Sequence, residues 1–155
     1  MTQEKKNLWQ RMPKKEKIFM VVAILIMLSN LFYYEFYKGN ARNVTYKAYS
    51  KIYTKEDVTH AVELVRADFK DNYNGCKMEK VEYNDNNMKK FENKIKNQDK
   101  YKDKEIIILN VDFRARNMQA ILKDKLKANQ KVKNAYWILA RENKNAPWKI
   151  IEKEY

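Results

Sequence analysis

Three side-chain types in this chain could do chemistry, and each occurs in a spare setting. Cys76 is the only cysteine and His60 the only histidine. A thiol beside an imidazole can form a nucleophilic dyad. One of each makes that pairing possible but supplies no third group to orient the base. A single cysteine also excludes an intrachain disulfide. The third setting is the stretch EIIILNVDFRA at 105–115. Its alternation puts Ile107, Leu109, Val111, Phe113 and Ala115 on one face of a strand. Asn110 and Asp112 fall on the other, where they point together into a pocket or into solvent. No cluster has metal-ligand spacing, and no glycine loop could cradle a phosphate, since the chain has two glycines, Gly39 and Gly75. No cofactor or metal is expected.

The elements that position these residues read as α+β. Residues 53–75 form the clearest helix. Thr54 can cap it with Asp57 three residues on, and Tyr53 and Val58 flank the cap as a hydrophobic staple. Val58, Ala61, Val62, Val65 and Phe69 then make one apolar stripe, and Gly75 can end the helix in a left-handed turn. CKMEKVEY at 76–83 reads as a strand whose phase changes between Met78 and Val81, the mark of a bulge. Residues 85–98 suggest a short helix with Met88, Phe91 and Ile95 on one face. Residues 117–130 read as a helix or partly helical connection through Met118, Ile121, Leu122 and Leu126. KNAYWILAR at 133–141 and PWKIIEKEY at 147–155 read as a closing hairpin. The expected domain is an antiparallel sheet curled over the long helix.

Ahead of that domain lies IFMVVAILIMLSNLFYY at 18–34, which carries no charge. As a helix it would span about 25 Å, the short end of what crosses a bilayer core of about 30 Å. Phe32, Tyr33, Tyr34, Phe36 and Tyr37 resemble an interfacial aromatic belt, with Trp9 on the other side. No small-x-small cleavage site follows, so an uncleaved signal anchor is expected. The basic tail, with Lys5, Lys6, Arg11, Lys14, Lys15 and Lys17, would stay in the cytoplasm. The expected organisation is a cytoplasmic tail at 1–17, a transmembrane anchor at 18–37, a juxtamembrane connector at 38–52 and a domain at 53–155. The localisation expected from it is a single-pass cell-membrane protein with its C-terminal domain extracellular.

The net charge is +13. After Tyr37, 27 basic residues stand against 17 acidic ones. The lysines are dispersed among acids instead of gathered in a run, so nucleic acid is set aside as a partner.

Four phrases carry a family resemblance: YTKEDVTHAVELVRADF at 53–69, GCKMEKVEY at 75–83, EIIILNVDF at 105–113 and YWILARENKNAPWKIIEKEY at 136–155. Together they resemble the nuclear transport factor two-like (cystatin-like cone) superfamily, closest to a small Gram-positive, clostridial family of unknown function. The resemblance implies a cone-shaped α+β domain and no catalytic residues to carry over. Enzymes of the superfamily place an Asp or His inside the cone. Asp112, with His60 behind it, is the residue that would correspond, and neither has the partner that proton transfer needs. A cone would be lined by Asp112, Asn110, Tyr83, Tyr136 and Trp137.

The expected function is therefore a non-enzymatic, membrane-anchored extracytoplasmic binding domain, with a protein partner or a second copy of itself. The alternative is a structural subunit of a secretion or conjugation apparatus. A cone-fold enzyme, or a basic surface for anionic polymers, ranks behind these.

Overall fold

A computed structural model of the chain describes residues 9, 12–96, 98–116 and 126–155. The expectations for the tail at 1–8 and for Met118, Ile121 and Leu122 lie outside the described residues, as do the side chains of Phe36 and Met88.

The first helix, α1, runs Lys14–Phe32 and buries none of its side chains. It corrects the membrane reading. Its first turn is Lys14, Lys15, Glu16 and Lys17, so only residues 18–32 are apolar helix. That stretch spans about 22 Å, well short of a bilayer core of about 30 Å. Beyond Phe32 the helix widens to a π turn, Tyr33–Tyr37, in which Lys38 N–H donates to the Tyr33 carbonyl at 3.2 Å. The aromatic residues expected to extend a span are thus wound differently, and the chain is then tied down. Gly75 N–H donates to the Tyr37 carbonyl at 2.8 Å, and Gly39 N–H to the Lys70 carbonyl at 3.1 Å. Among the described residues no helix is long and apolar enough to cross a membrane. The transmembrane helix at 18–37, the single-pass signal anchor and the localisation built on them are therefore not supported.

The second helix, α2, runs Lys55–Asn72. Asp57 N–H donates to Thr54 Oγ1 at 3.1 Å, and Thr54 N–H donates back to Asp57 Oδ2 at 3.3 Å. The capping box read from the sequence is complete. Val58, Ala61, Val62, Val65 and Phe69 are its buried residues. Gly75, at φ 72°, takes the left-handed turn beyond it.

Five strands follow the order β1-β2-β3-β4-β5: β1 Thr45–Tyr49, β2 Cys76–Asn84, β3 Glu105–Ala115, β4 Lys131–Arg141 and β5 Lys149–Glu154. All neighbours are antiparallel except β1, which runs parallel to β2. The connector region at 38–52 thus contributes an edge strand. Asn40 extends the link, its N–H donating to the Cys76 carbonyl at 2.9 Å and its carbonyl accepting from Met78 N–H at 2.8 Å. The register of β2 against β3 shifts between Met78 and Lys80. That bulge lets Cys76, Met78, Val81 and Tyr83 all face the core despite their change of phase.

Helices lie on both faces of the sheet. On one face, α2 packs against an aromatic core. Phe69 and Tyr73 stack at 4.8 Å, Phe69 meets Phe113 edge-on at 5.5 Å, and Tyr73 lies 5.4 Å from Trp137. On the other face, α3 (Asp85–Lys96) covers Ile106, Ile108, Ile138 and Ala140 with Phe91 and Ile95. The sheet is sandwiched between the two helices, so it is not curled over α2 alone.

Candidate binding groove

The sheet divides the residues expected to line one pocket. Asn110 stands opposite Glu82 and Tyr136, while Leu109 stands opposite Tyr83 and Trp137. Asn110, Asp112 and Tyr136 therefore face the α3 side, and Tyr83 and Trp137 face α2. Each polar tip but one has a local partner. Asp112, half-buried, accepts from Asn134 N–H at 2.8 Å, where Asn134 turns through φ 57°. Tyr136 donates its hydroxyl to Glu154 and lays its ring 4.6 Å from Phe91. Tyr83 donates to Asp85 at 2.8 Å, and burial, reinforced by that bond, pushes its hydroxyl pKa up. Trp137 Nε1 donates to Asp68 Oδ2 at 2.9 Å, and Lys153 binds the same carboxylate at 2.8 Å. Among the described residues no side-chain hydrogen bond distinguishes Asn110.

The other reactive side chains also stand apart. Cys76 is wholly buried, whereas His60 is exposed on α2. Among the described residues no group of His, Cys, Asp and Glu could hold a metal ion.

The site that the fold does build lies at the other end of the sheet. Four elements meet there: the first turns of α2, the start of β3, the end of β4 and the turn into β5. Arg141 is the last residue of β4 and is paired in register with Glu105. Its Nε donates to Glu105 at 2.7 Å, and Nη1 donates to Asp57. The guanidinium, 5% exposed, thus sits between two carboxylates. That bond to Arg141, with help from Thr54, holds the Asp57 carboxyl below its ordinary range. The Trp148 ring lies 4.3 Å from the guanidinium carbon, a cation–π contact. Tyr53 meets Trp148 edge-on at 5.6 Å and is fixed by its hydroxyl donating to the Ile106 carbonyl at 2.9 Å.

Trp148 and Arg141, with Glu56, Asp57, His60, Leu64 and the turn Lys144–Pro147, line a groove of about 560 Å³. The turn is set locally: Asn145 N–H donates to Asn143 Oδ1 at 2.9 Å, and Ala146 N–H to the Asn143 carbonyl at 3.0 Å. The Trp148 indole N–H is buried and has no acceptor among the described residues. The groove offers rigid walls with an aromatic and guanidinium floor. A smaller cavity of about 270 Å³ lies where α1 joins the domain, among Lys38, Gly39, Asn40, Arg42, Lys70 and Asp71.

Arg141 and Trp148 are site residues that motifs and spacing do not mark. One signal was there: an arginine closing the apolar run WILA needs a carboxylate partner if buried, and Glu105 opens the facing strand.

Compared with protein-family models, curated proteins and solved structures, the chain matches none.

Proposed function

We propose that this chain is a non-enzymatic interaction domain that holds a segment of a partner protein in the groove between α2 and the β4–β5 turn. One observation carries the reading: the floor formed by Arg141 and Trp148. Arginine and tryptophan are the side chains that most often dominate binding energy when held in a desolvated pocket. Here both are fixed before any partner arrives, so little ordering is left to oppose association. The acids Asp57, Asp68, Asp85 and Asp112, of which Asp57 lines the groove, each serve a structural partner, which supports the same reading.

The resemblance to the nuclear transport factor two-like superfamily belongs to the same proposal. A capped helix laid against a sheet that closes in an aromatic hairpin is the arrangement it implies, and it implies no catalytic set.

Photo-crosslinking from the groove rim tests the function. A photoreactive residue replaces Lys144 in the full chain, and the control places it at Lys131, at the far end of β4. A discrete adduct from position 144 alone is the expected result. Equal adducts from both positions, or none, count against the groove.

A further inference from the structure

The edge of the sheet opposite β5 has a distinct character. All residues of β1, Thr45–Tyr49, are exposed, and among the described residues β1 pairs only with β2. A parallel strand with one neighbour turns the N–H and C=O groups of alternate residues outward, and among the described residues nothing pairs with them. Proteins usually guard such an edge, because it is a template for a further strand.

Two features make this edge a template rather than a frayed end. It is pinned at both ends. Before it, Asn40 is bonded into β2, and Arg42 N–H donates to Asn40 Oδ1 at 2.9 Å. After it, Lys51 N–H donates to Asp85 Oδ2 at 2.8 Å, and Tyr53 N–H to Ser50 Oγ at 2.7 Å. Its own charged side chains are also of one sign, with acids only on the neighbouring elements: Asp85 accepts from Lys51 N–H, and Glu82 of β2 stands opposite Lys47. From Lys38 to Tyr53 the chain has Lys38, Arg42, Lys47 and Lys51 and no acidic residue. Lys47 and Lys51 are exposed and make no ion pair among the described residues. The opposite edge differs: in β5, Glu152 binds Tyr101 at 2.7 Å, Lys153 binds Asp68, and Glu154 binds Tyr136.

We propose that the open edge of β1 is a second docking site, separate from the groove, that takes an extended acidic segment of a partner protein as a sixth strand of the sheet. Strand addition gives affinity through main-chain hydrogen bonds and specificity through alternate side chains. Lys47 shares a face with Thr45 and Tyr49, and Tyr46 and Ala48 share the other. The fitting segment alternates carboxylates, which meet Lys47 and Lys51, with apolar residues, which meet Tyr46 and Ala48. A second copy of this chain is a poor fit, because two β1 edges would bring Lys47 and Lys51 against their like.

The probe is a fluorescent peptide alternating valine with glutamate, titrated against the full chain by anisotropy. A control peptide is N-methylated at alternate residues, which keeps its charge and removes its donors. The expected result is saturable binding that weakens with salt, is lost on N-methylation, and falls about tenfold in a Lys47→Glu, Lys51→Glu double variant. Lys131→Glu, at the far end of β4, should leave it unchanged. Equal binding of the N-methylated peptide, no effect of the double variant, or no binding at all overturns the proposal. So does dimerisation of the chain through β1, or capture of a nucleic-acid duplex at Lys47 and Lys51 in place of the peptide.

Discussion

Arg141 rests on Trp148, its guanidinium carbon 4.3 Å from the ring centre, and that contact joins two carboxylate anchors to the floor of the groove. On its edges the same guanidinium holds Asp57 and Glu105. It thereby ties the first turn of α2, the start of β3, the end of β4 and the approach to β5. Removing it leaves two carboxylates facing each other with no cation between them. Arg141→Met is expected to destabilise the domain by about 3 kcal/mol, measured by urea unfolding. Arg141→Lys should recover only part of this, because an ammonium cannot reach both carboxylates in a fixed fork or stack as a plane.

The Asp57 carboxyl is held below its ordinary value of 3.8, first by its hydrogen bond from Arg141. A depressed carboxylate contributes stability that is fully present above its unfolded pKa and is lost as pH falls through its folded pKa. The urea midpoint should therefore decline as pH is lowered through and below 3.8. Asp57→Asn should flatten that part of the curve. An unchanged curve would separate Asp57 from the acid response.

Gly39 is where the chain leaving α1 crosses α2. A Cβ there would stand 2.2 Å from the Phe69 carbonyl oxygen and 3.0 Å from the Lys70 Cα, both backbone atoms that cannot swing aside. Gly39→Ala must push the crossing apart and strain the bond from Gly39 N–H to the Lys70 carbonyl. A loss of about 2 kcal/mol is expected, as for other overpacked sites. Amide exchange at Gly39 and Gly75 should quicken with it.

The centre of the α2 face is Phe69, wholly buried and in ring contact with Tyr73 and Phe113. Phe69→Ala is expected to cost about 4 kcal/mol, the sum of lost burial and the cavity left behind. Thermal unfolding reads this directly. Cys76 reports on the same core: with no exposed surface, its thiol should react with Ellman's reagent only as the domain unfolds, at the rate of opening.

Much of this fold is legible locally. The capping box at Thr54 and Asp57, the stripe of α2, the bulge in β2 and the closing hairpin all rest on neighbours a few residues apart, where spacing and residue type carry the signal. What was missed depends on contacts distant in sequence. Hydropathy marks the apolar run at 18–34, but not that the helix widens at Tyr33 or that Tyr37 and Gly39 are tied to Gly75 and Lys70. β1 is five residues long and pairs in parallel with a strand 35 residues on, so its alternation alone says little. The candidate site shows the same limit. Alternation places Asn110 beside Asp112 on one strand, yet it cannot say that Tyr83 and Trp137 lie on the opposite face. Arg141 reaches Asp57 across 84 residues, a partnership that only the sheet register reveals.

The most direct test of the interaction reading is the indole N–H signal of Trp148 in a ¹⁵N-labelled full chain, assigned by its loss in Trp148→Phe. The probe is a panel of short acetylated peptides with a free C-terminal carboxylate. The account predicts that at least one peptide shifts the Trp148 indole signal saturably, while the Trp137 indole, already donating to Asp68, stays in place. If no peptide moves Trp148, or if both indoles move together, the groove is not the recognition site.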